Sequence, residues 1–512
     1  MKRTLTTVRN TLTDSFNQLL MVYVVAVLLY NLDVIGKYVL YFSAFAAVLG
    51  IIGGFVLRKK RALPTLGMWH LIAGLVVIFG SRIIPNLINR VPLGYDPGIY
   101  RYIFEHYPKE NVAHFPPILP ILMKPFTWVF GLDFVTMWVY PALFVLVGYG
   151  MYLVGWKYFS RDAGILSVLL YAVSLTQFEM FAMHYYKNVL AIAFMLFAIY
   201  FHDERDYTRL GLFVLFGVLL GGTHRPTFFM FGLAFLIYTL VSALGKSIDW
   251  RRLLTNAIAG ALTLGLTLTM YIGHIQRTIR PGLESIAKMD VMPGEFFIDF
   301  GEYQFFSLIY LPFALMGFIW LARERKFTYL VYWVAINFII VFFSLMFENR
   351  YLIQLDVALI FMAAYGFSVL VGNTPRLGRA TLGVLLLAGL IGLGEASLTA
   401  DPLIGGGELE TIRSMQELPD DAFVMATYST YSPWLRGYSG HEVIAPGLFE
   451  HNKWGRKEWA LFWSGQRHEE LMQDYGNMTV YVYVGKRQPQ IRLGECFNET
   501  RERVYKYTCG PG

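Results

Sequence analysis

Charged residues and cysteine are both scarce in this chain of 512 amino acids. Asp, Glu, Lys and Arg together make up 15% of the sequence, whereas soluble proteins carry about 25%. Hydrophobic residues reach 56%, and they occur in blocks of about twenty, the length that crosses a hydrocarbon core. The composition excludes an ordinary soluble protein. It predicts an all-α polytopic membrane protein with about 13 transmembrane helices.

The sequence also has neither a P-loop nor the glycine fingerprint of a dinucleotide-binding fold. No nucleotide or redox cofactor is therefore expected. The sequence establishes no cofactor, and a divalent metal such as Mg²⁺ or Mn²⁺ is the one candidate. The net charge of +7 is accounted for by basic loops on one side of the membrane. Nucleic acid is accordingly not an expected partner.

Lys and Arg are concentrated in every second connection between the predicted helices, for example in residues 58–61, 246–252 and 323–326. Short basic loops stay in the cytoplasm. We therefore expect a multi-pass protein of the cell membrane with a cytoplasmic N-terminus and an extracellular C-terminal domain. The segments then expected on the extracellular side are 86–133, 179–187, 223–226, 274–303 and the tail from about 397.

Two domains are expected. Residues 1–396 would form a transmembrane catalytic domain with the external loop 86–133. Residues 397–512 would form a small external α/β domain, because a glycine cluster opens this region and Ala422–Ala426 and 479–484 have the composition of strands. A helix is predicted between these strands, over residues 457–474.

The only two cysteines, Cys496 and Cys509, both lie in the C-terminal region. An even number of cysteines in an extracellular domain is typical of a disulfide. Two unpaired thiols are the alternative.

Asp96 stands in the external loop, within the segment Gly-Tyr-Asp-Pro-Gly of residues 94–98. Asp followed by Pro is typical of a helix N-terminus, so a helix cap is one interpretation. The other is a general base that accepts a proton from an attacking hydroxyl. The two roles are compatible, because a capping carboxylate is held in place.

Other polar residues of the same and the next external loop are candidates for substrate binding. Their alternative role is to anchor helices or to connect them at the membrane interface. These candidates are Tyr100, Arg101, Glu105, His114, Glu179 and His184.

Four basic residues at the predicted extracellular ends of helices are candidates for binding a phosphate. Helix N-termini favour anions, and Arg binds phosphate with a forked geometry. One such residue alone would most often be a membrane anchor, but several converging opposite Asp96 would suit a phosphate. They are His224, Arg225, Arg350 and Lys187.

The chain resembles the GT-C superfamily of membrane glycosyltransferases, which use polyprenyl-phosphate sugars. The similar features are Asp96 on the first large external loop, the His-Phe-Pro-Pro element of residues 114–117, the Arg-Tyr-Leu-Ile start of a late helix at 350–353, and the external C-terminal domain. It is most similar in style to the protein O-mannosyltransferase and aminoarabinose-transferase branch, with a tail of archaeal type.

The resemblance implies inverting transfer of a sugar from a polyprenyl (dolichyl-type) phosphate donor to an acceptor hydroxyl on the external face. Asp96 would be the general base, and the four basic residues would stabilise the departing phosphate. The implied partners are the lipid-linked donor, membrane lipid, and an acceptor that is a protein, a glycan or a lipid.

The chain departs from the superfamily in two respects. The loop carboxylate usually follows the first transmembrane helix, whereas Asp96 follows the third predicted one. Many members carry paired acids, whereas Gly98 stands two residues after Asp96. This puts metal-dependent chemistry in doubt, although Glu105 or Glu179 could complete a pair in space.

A transporter or flippase for a lipid-linked or small polar substrate is the alternative function. It would account for the many helices and for the short apolar segment 210–222. Against it, no inverted repeat is visible and acidic residues are scarce in the predicted spans. A non-enzymatic assembly protein that binds partners through its aromatic-rich tail is a third alternative.

Overall fold

The computed structural model is mostly helical, with one small sheet near the C-terminus. It describes residues 2–31, 39–57, 66–109, 115–243, 249–272, 303, 306–324, 326, 328–343, 345, 348–446, 451–465, 468–476, 478–487, 491 and 493–509.

Sixteen helices of the described residues lie before residue 400. The first eight are α1 (Lys2–Asn31), α2 (Val39–Val56), α3 (Met68–Asn89), α4 (Pro97–His106), α5 (Ile118–Phe130), α6 (Leu132–Tyr158, with a π-helical turn at Val135–Val139), α7 (Arg161–Ala172) and α8 (Leu175–Ala182). The next eight are α9 (Tyr186–Phe201), α10 (Tyr207–Gly221), α11 (Arg225–Ala243), α12 (Trp250–Thr269), α13 (Leu311–Arg323), α14 (Tyr329–Phe342), α15 (Glu348–Asn373) and α16 (Pro375–Thr399).

Capping side chains fix where several of these helices begin. The hydroxyl of Ser160 accepts a hydrogen bond from the first turn of α7, and the Asp206 carboxylate does the same for α10. Ser174 caps α8 in the same way, directly after α7 has ended. The two helices therefore meet at an angle of 54° instead of continuing as one.

Six of the described helices are long and apolar enough to cross a membrane, and a seventh span results if α7 and α8 form one broken span. The multi-pass architecture is thus confirmed, but the predicted count of about 13 is not. Several predicted spans are helices of 13 to 16 residues, such as α9, α13 and α14, which are short by length alone.

Helix α15 lies at the centre of the bundle, since 94% of its apolar segment within Tyr351–Asn373 is buried. A helix that is hydrophobic on all sides is expected to be buried in this way. Gly366 of α15 faces Gly317 of α13, and a Cβ at either position would overlap the backbone of the other helix. The two helices therefore approach closely, as small residues allow in membrane proteins.

The C-terminal region forms a five-stranded sheet with the strand order β2-β1-β3-β5-β4. Strand β1 pairs in parallel with β2 and β3, while β5 pairs antiparallel with β3 and β4. The elements are α17 (Gly406–Ser414), β1 (Ala422–Ala426), α18 (Ser432–Tyr438), β2 (Glu442–Ile444), α19 (Arg456–Trp463), α20 (His468–Met472), β3 (Thr479–Tyr483), β4 (Phe497–Arg501) and β5 (Val504–Tyr507).

Strands β1 and β3 lie where the sequence indicated them, whereas β2, β4 and β5 were not predicted and the single helix predicted over 457–474 is wrong. It is divided into α19 and α20, because Gly465 adopts a left-handed conformation (φ 75°) that ends α19. Trp434 of α18 and Trp459 of α19 are buried in the two hydrophobic clusters of this domain. Cys496 and Cys509 form a disulfide with a Cα–Cα distance of 5.1 Å.

Two glycines join the sheet domain to the helical bundle. A Cβ at Gly98 of α4 would overlap the backbone of Pro433, and a Cβ at Gly437 would overlap the backbone of Gly98. Helices α4 and α18 therefore touch through their main chains. The sheet domain lies on one end of the bundle, which we term the domain face.

Charged side chains surround this glycine contact. Asp133 of α6 accepts hydrogen bonds from Arg101 of α4 (2.5 Å) and from Arg413 of α17 (2.9 Å). Both guanidinium groups also lie over the ring of Tyr438, at 4.7 and 5.3 Å from its centroid. One carboxylate thus links the bundle, the loop helix and the sheet domain.

Gly98→Ala tests the glycine contact. The added methyl group has no space against Pro433, so we expect the free energy of unfolding to fall by about 1–3 kcal/mol. The measurement is the thermal unfolding midpoint of the detergent-solubilised protein. Gly80→Ala is the matched control, because a Cβ there meets nothing within 4 Å; equal midpoints for the two variants would contradict the contact.

Candidate functional site

Asp96 is the residue that precedes α4, and its side chain makes no capping hydrogen bond to that helix. Pro97 occupies the first helical position and has no N–H group to satisfy. The helix-cap interpretation is therefore wrong for this carboxylate, although its position is that of a cap.

The loop that leads to Asp96 is held against the connection between α8 and α9. Gly94 has φ 88°, and a Cβ there would overlap the backbone of Ala182 and Met183. The next residue, Tyr95, hydrogen-bonds Ser432 of the sheet domain. Asp96 is thus fixed between two parts of the protein.

His184, in the connection between α8 and α9, holds the same loop in place. Its side chain hydrogen-bonds the backbone of Leu93, three residues before Asp96. The ring is 1% exposed and lies 4.4 Å from the ring of Tyr140. Burial lowers the pKa of His184 to about 3, and the hydrogen bond to Leu93 opposes this only in part. The imidazole is therefore neutral at physiological pH.

Tyr100 and Lys187 lie beside His184. The ring of Tyr100 is 5.9 Å from that of His184 and 5.4 Å from that of Tyr186. The backbone N–H of Lys187 donates to the Tyr100 hydroxyl at 3.4 Å. Glu179 is one turn before this connection, and its carbonyl accepts from the N–H of Met183. Four sequence candidates therefore cluster next to the Asp96 loop.

His224 and Arg225 form a second group at the start of α11. The His224 Nδ1 atom is 2.7 Å from the Thr227 hydroxyl, which accepts a hydrogen bond from Gln354 of α15. Gln354 is one turn after Arg350, another candidate. The structure describes the backbone of Arg350 in the first turn of α15, but not its side chain.

The second group lies at the opposite end of α4 from Asp96. The Arg225 guanidinium is 4.8 Å from the ring centroid of Tyr271, and Tyr271 is within electrostatic reach of Tyr107, which ends α4. The carbonyl of Gly222 also accepts from the N–H of Ile118, the first residue of α5. Tyr107, at the end of α4, therefore lies between this second group and the helix that Asp96 precedes.

An apolar groove of about 780 Å³ runs between α11 and α12 from Arg225 and Tyr271. It extends to Leu253 at the far end of α12, about 27 Å away along the helix axis. Its rim side chains are exposed on the surface of the bundle, including Phe229, Leu236, Leu240, Leu264 and Leu268. The groove therefore opens sideways toward the surrounding lipid.

Three candidates lie away from both groups or outside the described residues. Arg101 donates to Asp133 and to the carbonyl of Gly437, so it contacts the sheet domain. Glu105 is half exposed and lies 4.0 Å from His106. His114 lies outside the described residues.

Sequence reasoning missed two charged residues inside the helical bundle. Arg82 of α3 and Asp356 of α15 are both fully buried. The available signal was the presence of one basic and one acidic residue within predicted spans, because intramembrane charges are costly and usually functional.

No three His, Cys, Asp or Glu side chains lie together as metal ligands among the residues that the structure describes.

The fold is shared with solved structures. The chain superposes on the apo oligosaccharyltransferase of Archaeoglobus fulgidus with a TM-score of 0.59 and 14% identity, over 81% of this chain and 69% of that one. A crystal structure of that oligosaccharyltransferase with Zn and sulfate also matches. So does the archaeal oligosaccharyltransferase AglB from Archaeoglobus fulgidus in complex with an inhibitory peptide and a dolichol-phosphate (TM-score 0.50, 13% identity, over 88% of this chain and 69% of that one).

ArnT from Cupriavidus metallidurans, bound to undecaprenyl phosphate, is the second similar protein. It matches with a TM-score of 0.52 and 14% identity, over 87% of this chain and 99% of that one. No family model and no curated protein sequence matches the chain. The predicted resemblance to the GT-C glycosyltransferases is thereby confirmed at the level of the fold.

The buried His184 makes the stability of the protein depend on pH. Between about pH 3 and the ordinary pKa of about 6.5, the unfolded chain binds a proton that the folded chain does not. Stability therefore falls as the pH drops through this window, by up to about 1.4 kcal/mol per pH unit. His184→Asn removes this proton, and Asn tolerates the left-handed backbone (φ 63°) at this position.

We expect the difference in thermal midpoint between pH 7 and pH 5 to be smaller in His184→Asn than in the wild type. The control is His106→Asn, at a partly exposed histidine of α4. An unchanged difference in His184→Asn would show that the buried imidazole does not cause the acid sensitivity.

Proposed function

We propose that the protein is an integral membrane glycosyltransferase that uses a polyprenyl-phosphate sugar as donor and a hydroxyl group as acceptor. The observation that carries this proposal is the apolar groove between α11 and α12, which has Arg225 at its domain-face end. A long apolar chain with a phosphate at one end fits both features. The fold supports it, since structures that share it contain dolichol-phosphate or undecaprenyl phosphate.

The polyprenyl chain would lie in the groove. Of its two ends, only the one at Arg225 and Tyr271 carries a cation among the lining residues. The groove is about as long as the hydrocarbon core is thick, and its lateral opening admits a lipid from the bilayer. A solute carried across the membrane would need a polar path, whereas the lining of this groove is largely aliphatic and aromatic. This favours the enzyme over the transporter.

The donor phosphate would be bound by Arg225, with His224 and Arg350 from neighbouring helix starts. Arg225 and Arg350 lie in the first turns of α11 and α15, where helix dipoles favour anions. His224 is connected to α15 through Thr227 and Gln354. Lys187 lies with the Asp96 group and would approach the phosphate from that side.

The acceptor hydroxyl would lose its proton to the Asp96 carboxylate as its oxygen attacks the anomeric carbon. The bond between that carbon and the phosphate oxygen breaks, and the polyprenyl phosphate leaves with the electron pair. Attack from the face opposite the phosphate inverts the anomeric configuration. Charge aimed at a leaving group is often the largest catalytic contribution, which is the role assigned to Arg225.

Tyr100, Glu179 and His184, which lie around the Asp96 loop, would contact the sugar or the acceptor near Asp96. Glu105 and His114 would bind the substrate elsewhere along the external loop. Arg101 would act indirectly, because it binds Asp133. We place the acceptor, a protein, a glycan or a lipid, on the side of the sheet domain.

We propose the same orientation and domain division as the sequence indicates. Residues 1–396 would form the transmembrane catalytic domain, with a cytoplasmic N-terminus, and residues 397–512 an extracellular domain. The disulfide between Cys496 and Cys509 supports an oxidising compartment for the latter. A divalent metal is compatible with the zinc-bound neighbour, but the steps above use only residues of this chain.

Asp96→Asn tests the general base. The amide cannot accept the hydroxyl proton, so we expect sugar transfer to fall at least about a hundredfold, measured by mass spectrometry with polyprenyl-phosphate sugars and membrane extract. Glu410→Gln, at an exposed acid of α17, is the control. Wild-type activity in a folded Asp96→Asn variant would remove Asp96 from the mechanism but keep the enzyme.

Gly232→Phe tests the groove. Gly232 lines it, and a side chain there enters open space, so the ring would occupy the volume proposed for the donor chain. We expect undecaprenyl phosphate to bind at least about tenfold more weakly, measured by native mass spectrometry. Gly265→Phe on α12 is the matched control, since Gly265 has open space too but does not line the groove. Equal binding by both variants would place the lipid elsewhere.

A further inference from the structure

Two buried charges of opposite sign lie inside the helical bundle. Arg82 and Asp356 are the two side chains of Arg, Lys, Asp or Glu that are buried in the described parts of α1 to α16, and both are 0% exposed. An isolated buried charge is costly, whereas a paired one is much less so. The presence of one positive and one negative charge therefore suggests that each compensates the other.

The two residues stand at similar distances along their helices from the domain face. Arg82 is seven residues before the end of α3, which leads to the Asp96 loop, and Asp356 is eight residues after the start of α15. These separations correspond to about 10 and 12 Å. The end of α3 and the start of α15 are both at the domain face, because α15 runs opposite to α16, whose end meets Asn89.

Tyr171 of α7 lies near both residues. Its ring centroid is 6.0 Å from the Arg82 guanidinium carbon, and its phenol is within electrostatic reach of both Arg82 and Asp356. Helix α7 packs against both α3 and α15. A hydroxyl can accept from the guanidinium and donate to the carboxylate, so Tyr171 suits this position.

The unused hydrogen-bonding groups complement each other. Arg82 donates through Nη1 to Ile78 and Ser81, but Nε and Nη2, one bidentate side of the guanidinium, have no protein partner among the described residues. The same holds for the Tyr171 hydroxyl and Asp356 Oδ1. Water is suited to a buried polar site with two to four such partners.

We infer that Arg82, Tyr171 and Asp356 form a buried charge couple, joined by bound water, that holds the two halves of the candidate site in register. Arg82 and Asp356 are positioning residues, because neither belongs to the groups proposed to touch the substrate. The couple connects α3, which leads to the Asp96 loop, with α15, which carries Arg350 in its first turn. Its positioning role rests on the proposed function, whereas the couple itself does not.

Hydrogen bonds at Asp356 extend the couple to both groups. Asp356 Oδ2 accepts from the Ser174 hydroxyl (2.9 Å) and from Gln177 Nε2 (2.8 Å), at the start of α8. Helix α8 leads to His184, which hydrogen-bonds the loop before Asp96. On the other side, Gln354 of the same helix as Asp356 donates to Thr227, the partner of His224. A shift of α15 would therefore move both the connection beside Asp96 and the group of His224 and Arg225.

A double-mutant cycle tests the couple in the full-length protein in detergent. Arg82→Met and Asp356→Asn each leave one buried charge uncompensated, so we expect each to lower the thermal midpoint by roughly 5–10 °C. The double variant leaves neither charge, so its midpoint should recover to above that of both single variants. Additive losses in the double variant would overturn the couple.

Tyr171→Phe provides a second test that keeps both charges and the ring. It should reduce the Arg82–Asp356 coupling in the cycle by at least half. Tyr152→Phe is the matched control. Tyr152 is a buried tyrosine near the C-terminal end of α6, and its substitution should leave the coupling between Arg82 and Asp356 unchanged. Unchanged coupling in Tyr171→Phe would remove the phenol from the couple.

Sugar transfer then tests the positioning role. In Tyr171→Phe and in the double variant we expect kcat to fall about ten- to a hundredfold at an unchanged donor KM, as misalignment of bound reactants predicts. If the midpoints show coupling between Arg82 and Asp356 but these variants keep the wild-type kcat, the positioning role is overturned and the couple is only structural. Absence of transfer by the wild type would contradict the proposed function, while the midpoints would still decide whether the couple exists.

Discussion

The main-chain contact between Gly98 and Gly437 is the constraint on which the candidate site depends. It brings α4 against α18, and so sets where the residue preceding α4, Asp96, stands relative to the sheet domain. Any side chain at either glycine would separate the two helices. The shared carboxylate of Asp133 and the hydrogen bond between Tyr95 and Ser432 act on a geometry that the glycines have already fixed.

The bundle and the sheet domain thus contribute different parts of the site. The bundle supplies the groove, the cations at helix starts and the buried polar residues, whereas the sheet domain covers the loop that carries Asp96. Asp96 makes no capping hydrogen bond to α4, and the loop before it sets where the residue stands. Gly94 and His184 fix that loop through packing and one backbone hydrogen bond.

The helical class, the strands β1 and β3 and the position of Asp96 could be predicted because each depends on local sequence. The number of transmembrane helices could not, because α9, α13 and α14 are buried by neighbours and need not match the bilayer in length. The position of Arg225 near the Tyr107 end of α4 was also hidden, since it depends on how Tyr271 beyond α12 packs against both. Asp356 was overlooked because its partners, Ser174 and Gln177, belong to a distant segment.

The lateral opening of the groove determines how an occupant would arrive and leave. Phe229, Leu236 and Leu264 line an edge that faces the bilayer along much of its thickness. Exchange through such an edge occurs by diffusion in two dimensions, within one plane of the membrane. Occupancy then follows the mole fraction of the lipid among its neighbours and is insensitive to the volume of the surrounding water.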